Sequence, residues 1–107
     1  MVRQLTAREL EKRIEEDAAS MVLLDVREPW EWGVCRIPGS ITISLGEIPA
    51  RTGELSRDAE IVVLCHHGIR SQHASMFLER AGFTNLNKLV GGIDAWAREV
   101  NPKMPTY

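Results

Sequence analysis

The chain has 107 residues, enough for one domain with a buried core and too few for two. With 44% hydrophobic and 26% charged residues, it reads as a globular chain and not as a disordered, collagenous or coiled-coil one. Thirteen Lys and Arg against fifteen Asp and Glu leave a net charge of −2, so no basic excess draws it to nucleic acid or anionic lipid.

No apolar run approaches the roughly 18–20 residues of a membrane span, and Met1 to Glu16 lacks the apolar stretch of a signal peptide, so the expectation is a cytoplasmic protein without a membrane partner. Two cysteines, Cys35 and Cys65, can build neither a disulfide framework nor a four-ligand zinc knuckle, which suits a reducing compartment. There is no internal repeat or linker, so residues 1–107 are expected to form a single unit.

In chain order, Thr6-Ala7-Arg8-Glu9 has the form of a capping box, and Leu10, Ile14 and Ala18 at four-residue spacing predict an amphipathic helix to about Asp17. Val22–Val26, Ile41–Ile43 and Ile61–Leu64 are apolar runs of strand length. The intervening stretches, Glu28 to Gly33 and Gly46 to Leu55, are polar, and Pro49 suits a first turn or a break. Ala74, Phe77, Leu78 and Ala81 make an apolar stripe ending at Gly82, which predicts a helix from about Ser71 to Ala81. A strand over Leu86–Val90, a tight turn at Gly91-Gly92 and a helix over Ile93–Val100 complete the chain. This alternation predicts an α/β domain with a mainly parallel sheet and helices on both faces.

In such sheets ligands sit beyond the carboxyl ends of strands. That places attention on Cys65, at the end of an apolar strand, and on His66-His67-Gly68-Ile69-Arg70-Ser71, which leads into a helix. A short loop around a glycine can curl so that its backbone N–H groups converge on one anion. A free thiol titrates near 8.5, and lowering a thiol by about 1.5 pH units takes roughly 2 kcal/mol. A helix terminus supplies about 0.3–2 kcal/mol, so loop amides and the charge of Arg70 are expected to supply the rest. A cysteine ending an apolar strand is often mere packing; the polar, glycine-containing loop favours a nucleophile here. Cys35, before Ile37-Pro38-Gly39, has no such setting and reads as structural.

His66, His67 and His73 invite a metal reading. Adjacent residues of a tight loop are expected to point apart, and no carboxylate or second cysteine completes a zinc spacing, so neither a metal nor any other cofactor is expected. Gly91-Gly92 lacks the lysine and length of a phosphate-binding loop.

Asp25-Val26-Arg27-Glu28, Arg36-Ile37-Pro38-Gly39-Ser40, Cys65 through Ser71 and Gly91-Gly92-Ile93-Asp94-Ala95-Trp96 together resemble, in order and spacing, the rhodanese-like domains, and the resemblance spans nearly the whole chain. It implies a five-stranded parallel sheet flanked by helices and a single-domain thiosulfate sulfurtransferase. In that reading Cys65 carries a persulfide, residues 66–71 bind substrate, and Asp25 and Arg27 support the loops, more as an ion pair than in direct catalysis. The implied partners are a small sulfur donor such as thiosulfate and an acceptor that is a thiol, cyanide or a thioredoxin-like protein. Arg70 gives a Cys-x4-Arg spacing, the six-residue loop of sulfur transfer; phosphatase and arsenate-reductase relatives use Cys-x5-Arg. A non-catalytic module that binds a protein through the same loop is the other alternative, and such modules usually lack the cysteine. Cys35-Arg36 stands where the family usually has Gly-His, and His66 where Arg is common.

Overall fold

Strand β4, Ile61–Leu64, is the centre of the molecule, and all four of its residues are buried. In the computed structural model, which describes residues 2–107, it lies in a sheet of five parallel strands in the order β1-β5-β4-β2-β3. The others are β1, Val2–Leu5, β2, Val22–Asp25, β3, Ile41–Thr42, and β5, Leu86–Leu89. The expected boundary at Met1 lies outside the described residues.

The period-2 geometry of a strand sorts β4 between two cores. Val62 and Leu64 pack with Leu10, Leu23, Leu89, Ile93 and Trp96 on one face. Ile61, Val63 and Cys65 pack with Leu24, Ile48, Ala74, Leu78 and Phe83 on the other. Helices α1, Ala7–Asp17, and α5, Gly92–Glu99, cover the first face; α3, Ile48–Arg51, and α4, Ile69–Arg80, cover the second. The expected α/β class, with helices on both faces, is the one observed.

The capping box at Thr6 forms, with the Glu9 amide donating to Thr6 Oγ1 at 3.1 Å and the Thr6 amide to Glu9 Oε1 at 2.9 Å. Three elements differ from the sequence reading. Val2–Leu5 is an edge strand paired residue by residue with Leu86–Leu89, an element that its polar Arg3 and Gln4 concealed. The polar stretch Glu28 to Gly33 contains a helix, α2, Pro29–Val34, with proline at its start. Helix α4 begins at Ile69, two residues before the expected Ser71, because Gly68 takes φ +132° and turns the chain into the helix.

Candidate functional site

Cys65 directly follows β4, at the sheet's carboxyl edge between the ends of β2 and β5. Its side chain belongs to the core under α3 and α4, and the residue is only 1% exposed. Above it lies a depression of about 170 Å³ lined by Cys65, His66, His67, Ile69 and Arg70. The sulfur is therefore a floor and not a protrusion. The Gly68 amide donates to Cys65 Sγ at 3.0 Å and the Ser71 amide at 3.3 Å. Ser71 Oγ lies 3.5 Å from the sulfur and itself donates to the Gly68 carbonyl at 3.0 Å. Of the loop amides expected to cradle the sulfur, these two are the ones bonded to it. Ser71 does so from the first turn of α4, where amides lack intrahelical partners.

The loop is held from the other side by α5. The Ile93 amide donates to the Cys65 carbonyl at 2.8 Å and the Asp94 amide to the His66 carbonyl at 3.2 Å. Gly91 and Gly92 take φ +75° and +62° to bring the helix start this close. The expected tight turn is thus also a clamp on the cysteine loop.

Arg70 departs from its expected part. Its guanidinium does not stand free beside the sulfur: it makes a two-pronged pair with Glu31 of α2, at 2.5 and 2.7 Å. Glu31 is buried, accepts the Glu28 amide at 2.8 Å and accepts the hydroxyl of Tyr107 at 2.8 Å. The Arg70 bond, opposed by burial and assisted by the Glu28 amide and Tyr107, brings the Glu31 carboxyl down to about 2. Burial, with Glu31 adding to it against the bond from Arg27, pushes the Tyr107 phenol up to about 12.

Asp25 and Arg27 are both fully buried and paired, Arg27 Nη2 to Asp25 Oδ2 at 2.7 Å. Arg27 also donates to the Cys35 carbonyl at 2.7 Å, to Tyr107 Oη at 2.8 Å and to the Glu31 carbonyl at 3.3 Å. Burial alone would lower this guanidinium; the bonds to Asp25 and Tyr107 outweigh it and leave it raised. Arg27 thereby ties β2, α2, the Cys35 segment and Tyr107 into one charged network. Cys35 enters through its carbonyl, and it and Cys65 are both free thiols.

The histidines also depart from expectation. The rings of His66 and His67 do not point apart; they stack with centroids 4.1 Å apart, and His66 stacks on Tyr107 at 4.0 Å. Burial and the neighbouring His67 hold His66 below the ordinary imidazole value. A carboxylate that sequence spacing could not supply comes from α5: Asp94 Oδ2 is 3.6 Å from His67 Nε2. One ligand atom each from His66, His67 and Asp94 falls within 4.8 Å of the others, so these residues could be drawn onto a metal ion. Their arrangement is not set for it. The two rings are stacked 23° from parallel, and Arg98 already bonds Asp94 Oδ2 at 2.9 Å.

Sequence reading missed Glu31 and Tyr107. The only local signal for Glu31 was Glu28-Pro29-x-Glu31, a capping pattern with proline at the first helical position, and the Glu28–Glu31 reciprocal bonds do form. Nothing local marks Tyr107.

Residues 6–99 match the family model described as the rhodanese-like domain. The YtwF protein of Bacillus subtilis is 34% identical over 95% of this chain and 97% of its own length. A protein of Allochromatium vinosum named sulfurtransferase is 33% identical over 95% of this chain and 94% of that protein. Among solved structures, a rhodanese-related protein of Thermoplasma volcanium superposes with a TM-score of 0.81 at 35% identity, over 94% of this chain and 95% of that one.

Proposed function

This chain belongs to the rhodanese-like domain family, with sulfurtransferases among its relatives, and we propose that it moves a sulfane sulfur through a persulfide on Cys65. Thiosulfate or a similar small sulfane compound is the donor, and a thiol, cyanide or thioredoxin-like protein the acceptor. The observation that carries this reading is the Cys65 sulfur at the floor of an open depression with the Gly68 and Ser71 amides donating to it.

In the first step the Cys65 thiolate attacks the outer sulfur of thiosulfate. The Cys65–S bond forms, the S–S bond of the donor breaks, and its electron pair leaves with sulfite. In the second step the acceptor's nucleophile takes the outer sulfur, and the electron pair returns to Cys65 as thiolate. The Gly68 and Ser71 N–H groups, fixed in place before reaction, stabilise the negative Cys65 sulfur in the resting form and again as it regains its electron pair in the second step. Ile69, which is 74% exposed at the rim, leaves the depression open for an acceptor to approach. Asp25 ends β2 beside Leu64 of β4, and Arg27 joins it to α2 and the Cys35 segment; their part is positioning.

Weighing the intact protein after exposure to thiosulfate tests this. One added sulfur is expected, absent in Cys65→Ala and retained in Cys35→Ser. An unchanged mass in the wild-type protein, with turnover of an aryl phosphate instead, would point to the phosphatase alternative.

A further inference from the structure

We propose that Glu31 sets the donor preference of the site by neutralising Arg70, so that Cys65 favours singly charged sulfane donors over the thiosulfate dianion. This rests on the Cys65 sulfur-transfer reading and extends it to a substrate class.

Among the described residues, the fixed charges nearest the sulfur fall into pairs. Arg70 is the one permanently charged residue lining the depression, and both its contacts go to the Glu31 carboxylate. Arg27 is cancelled by Asp25 in a fully buried pair. On the rim, His67 faces Asp94, which Arg98 also reaches. His66 is held toward its neutral form by burial and by His67. Lys88 opens onto the groove beyond His67 and Ile69, where it bonds Gln72. With Arg70, Arg27 and Arg98 each set against a carboxylate, and Lys88 lining the neighbouring groove and not the depression itself, the thiolate dominates the depression and repels an anionic donor.

A dianion feels twice the repulsion of a monoanion at the same place, since Coulomb energy is proportional to the donor's charge. Methanethiosulfonate offers the same outer sulfur with one charge fewer. Its reaction balances in the same way: the thiolate takes the outer sulfur, the S–S bond of the donor breaks, and methanesulfinate leaves with the electron pair. Comparing the two donors isolates charge from sulfur chemistry.

The geometry also explains why Glu31, and not a surface acid, can act so strongly. It is buried and held by three partners besides Arg70's second prong, so it cannot swing away when a donor arrives. An Arg70 guanidinium engaged at both ends of its fork has to break an existing pair before it can grip thiosulfate.

The experiment measures the second-order rate of Cys65 persulfidation by each donor, read by intact mass after rapid quenching. In Glu31→Gln, which keeps the shape and frees the charge of Arg70, the thiosulfate rate should rise about tenfold and the methanethiosulfonate rate only about threefold, the square-root relation that halved charge demands. Tyr107→Phe removes a hydrogen bond from Glu31 without changing charge and should leave the ratio of the two rates where it was. The wild-type protein supplies a test that needs no variant to fold: added salt should speed both donors, thiosulfate more steeply. A thiosulfate rate that falls with salt, or a donor ratio untouched by Glu31→Gln, would overturn the selectivity while leaving sulfur transfer standing. Failure of both donors to mark Cys65 would overturn the two together.

Discussion

A Cβ atom on Gly92 would stand 2.4 Å from the carbonyl oxygen of Cys65, and as close to that of His66. Those oxygens are the acceptors for the Ile93 and Asp94 amides, so the nucleophile's own backbone is pinned by the start of α5 through a residue that has no room for a side chain. Gly92→Ala adds this collision to a φ of +62°, which L-residues adopt at a cost. The expected loss is about 2 kcal/mol or more, a fall in Tm of roughly 10 °C for a domain of this size. Gly33→Ala, in α2 with nothing within 4 Å of the new atom, should hold or gain about 0.5–1 kcal/mol. Thermal unfolding of the two variants checks the pair.

The Asp25–Arg27 pair and Tyr107 make a second, separable prediction. Asp25→Asn strands the fully buried Arg27 charge and should cost about 3–5 kcal/mol. Tyr107→Phe keeps the ring stacked on His66 and removes one bond to Arg27 and one to Glu31, for about 1–2 kcal/mol. Urea unfolding should rank them in that order. Equal losses would mean that Tyr107 carries as much of the network as the buried ion pair.

Legibility in the sequence follows the range of the force involved. The apolar runs of β2 and β4 and the stripe of α4 declare themselves within a few residues, because burial imposes a local period. The capping box at Thr6 is equally local. Strand β1 is stabilised by its ladder to Leu86–Leu89 at the far end of the chain, and its own four residues carry no alternation to reveal it. Cys65, its loop and Gly68 were visible because the strand-loop-helix sequence is contiguous. The Arg70–Glu31 pair was not, because it joins residues 39 apart, and Tyr107 meets Glu31 across 76. Charged residues in a short polar stretch look like a solvated face until the fold buries them.

Acid should unfold the protein through two carboxylates in particular. Glu31 is brought down to about 2 by Arg70 against the opposing effect of burial, and Glu60 is lowered by its bond to Arg13, again against burial, with help from Asn87. The unfolded chain protonates its glutamates near pH ~4.3, while the folded state keeps these two ionised further down. The stability they lend is complete above that value and drains as pH falls below it, for Glu31 down toward about 2. For Glu31 the amount is at most roughly 3 kcal/mol. Stability measured from pH 7 to 2 should be level until about pH 5 and then fall. In Glu31→Gln the starting level should be lower and the acid fall shallower. A parallel curve would remove Glu31 from the account of acid sensitivity.

Arg70 and Glu31 depend on each other through their two-pronged contact. Arg70→Ala should hurt folding as well as turnover, because the substitution leaves the Glu31 carboxylate buried with only the Glu28 amide and the Tyr107 hydroxyl to meet it. Arg70 itself is 32% exposed in its side chain, so water softens the loss to about 2 kcal/mol, below the range for a fully buried pair. Glu31→Gln should cost less, since a freed guanidinium at the rim can reach solvent. In the double variant Arg70→Ala/Glu31→Gln no unpaired charge is left, so it should be more stable than Arg70→Ala alone, with a coupling of about 1–2 kcal/mol between the two sites. Urea unfolding of the four proteins gives that coupling directly. Additive losses would show that the two-pronged contact contributes nothing beyond its separate parts, and that the α2 helix is held against the cysteine loop by packing alone.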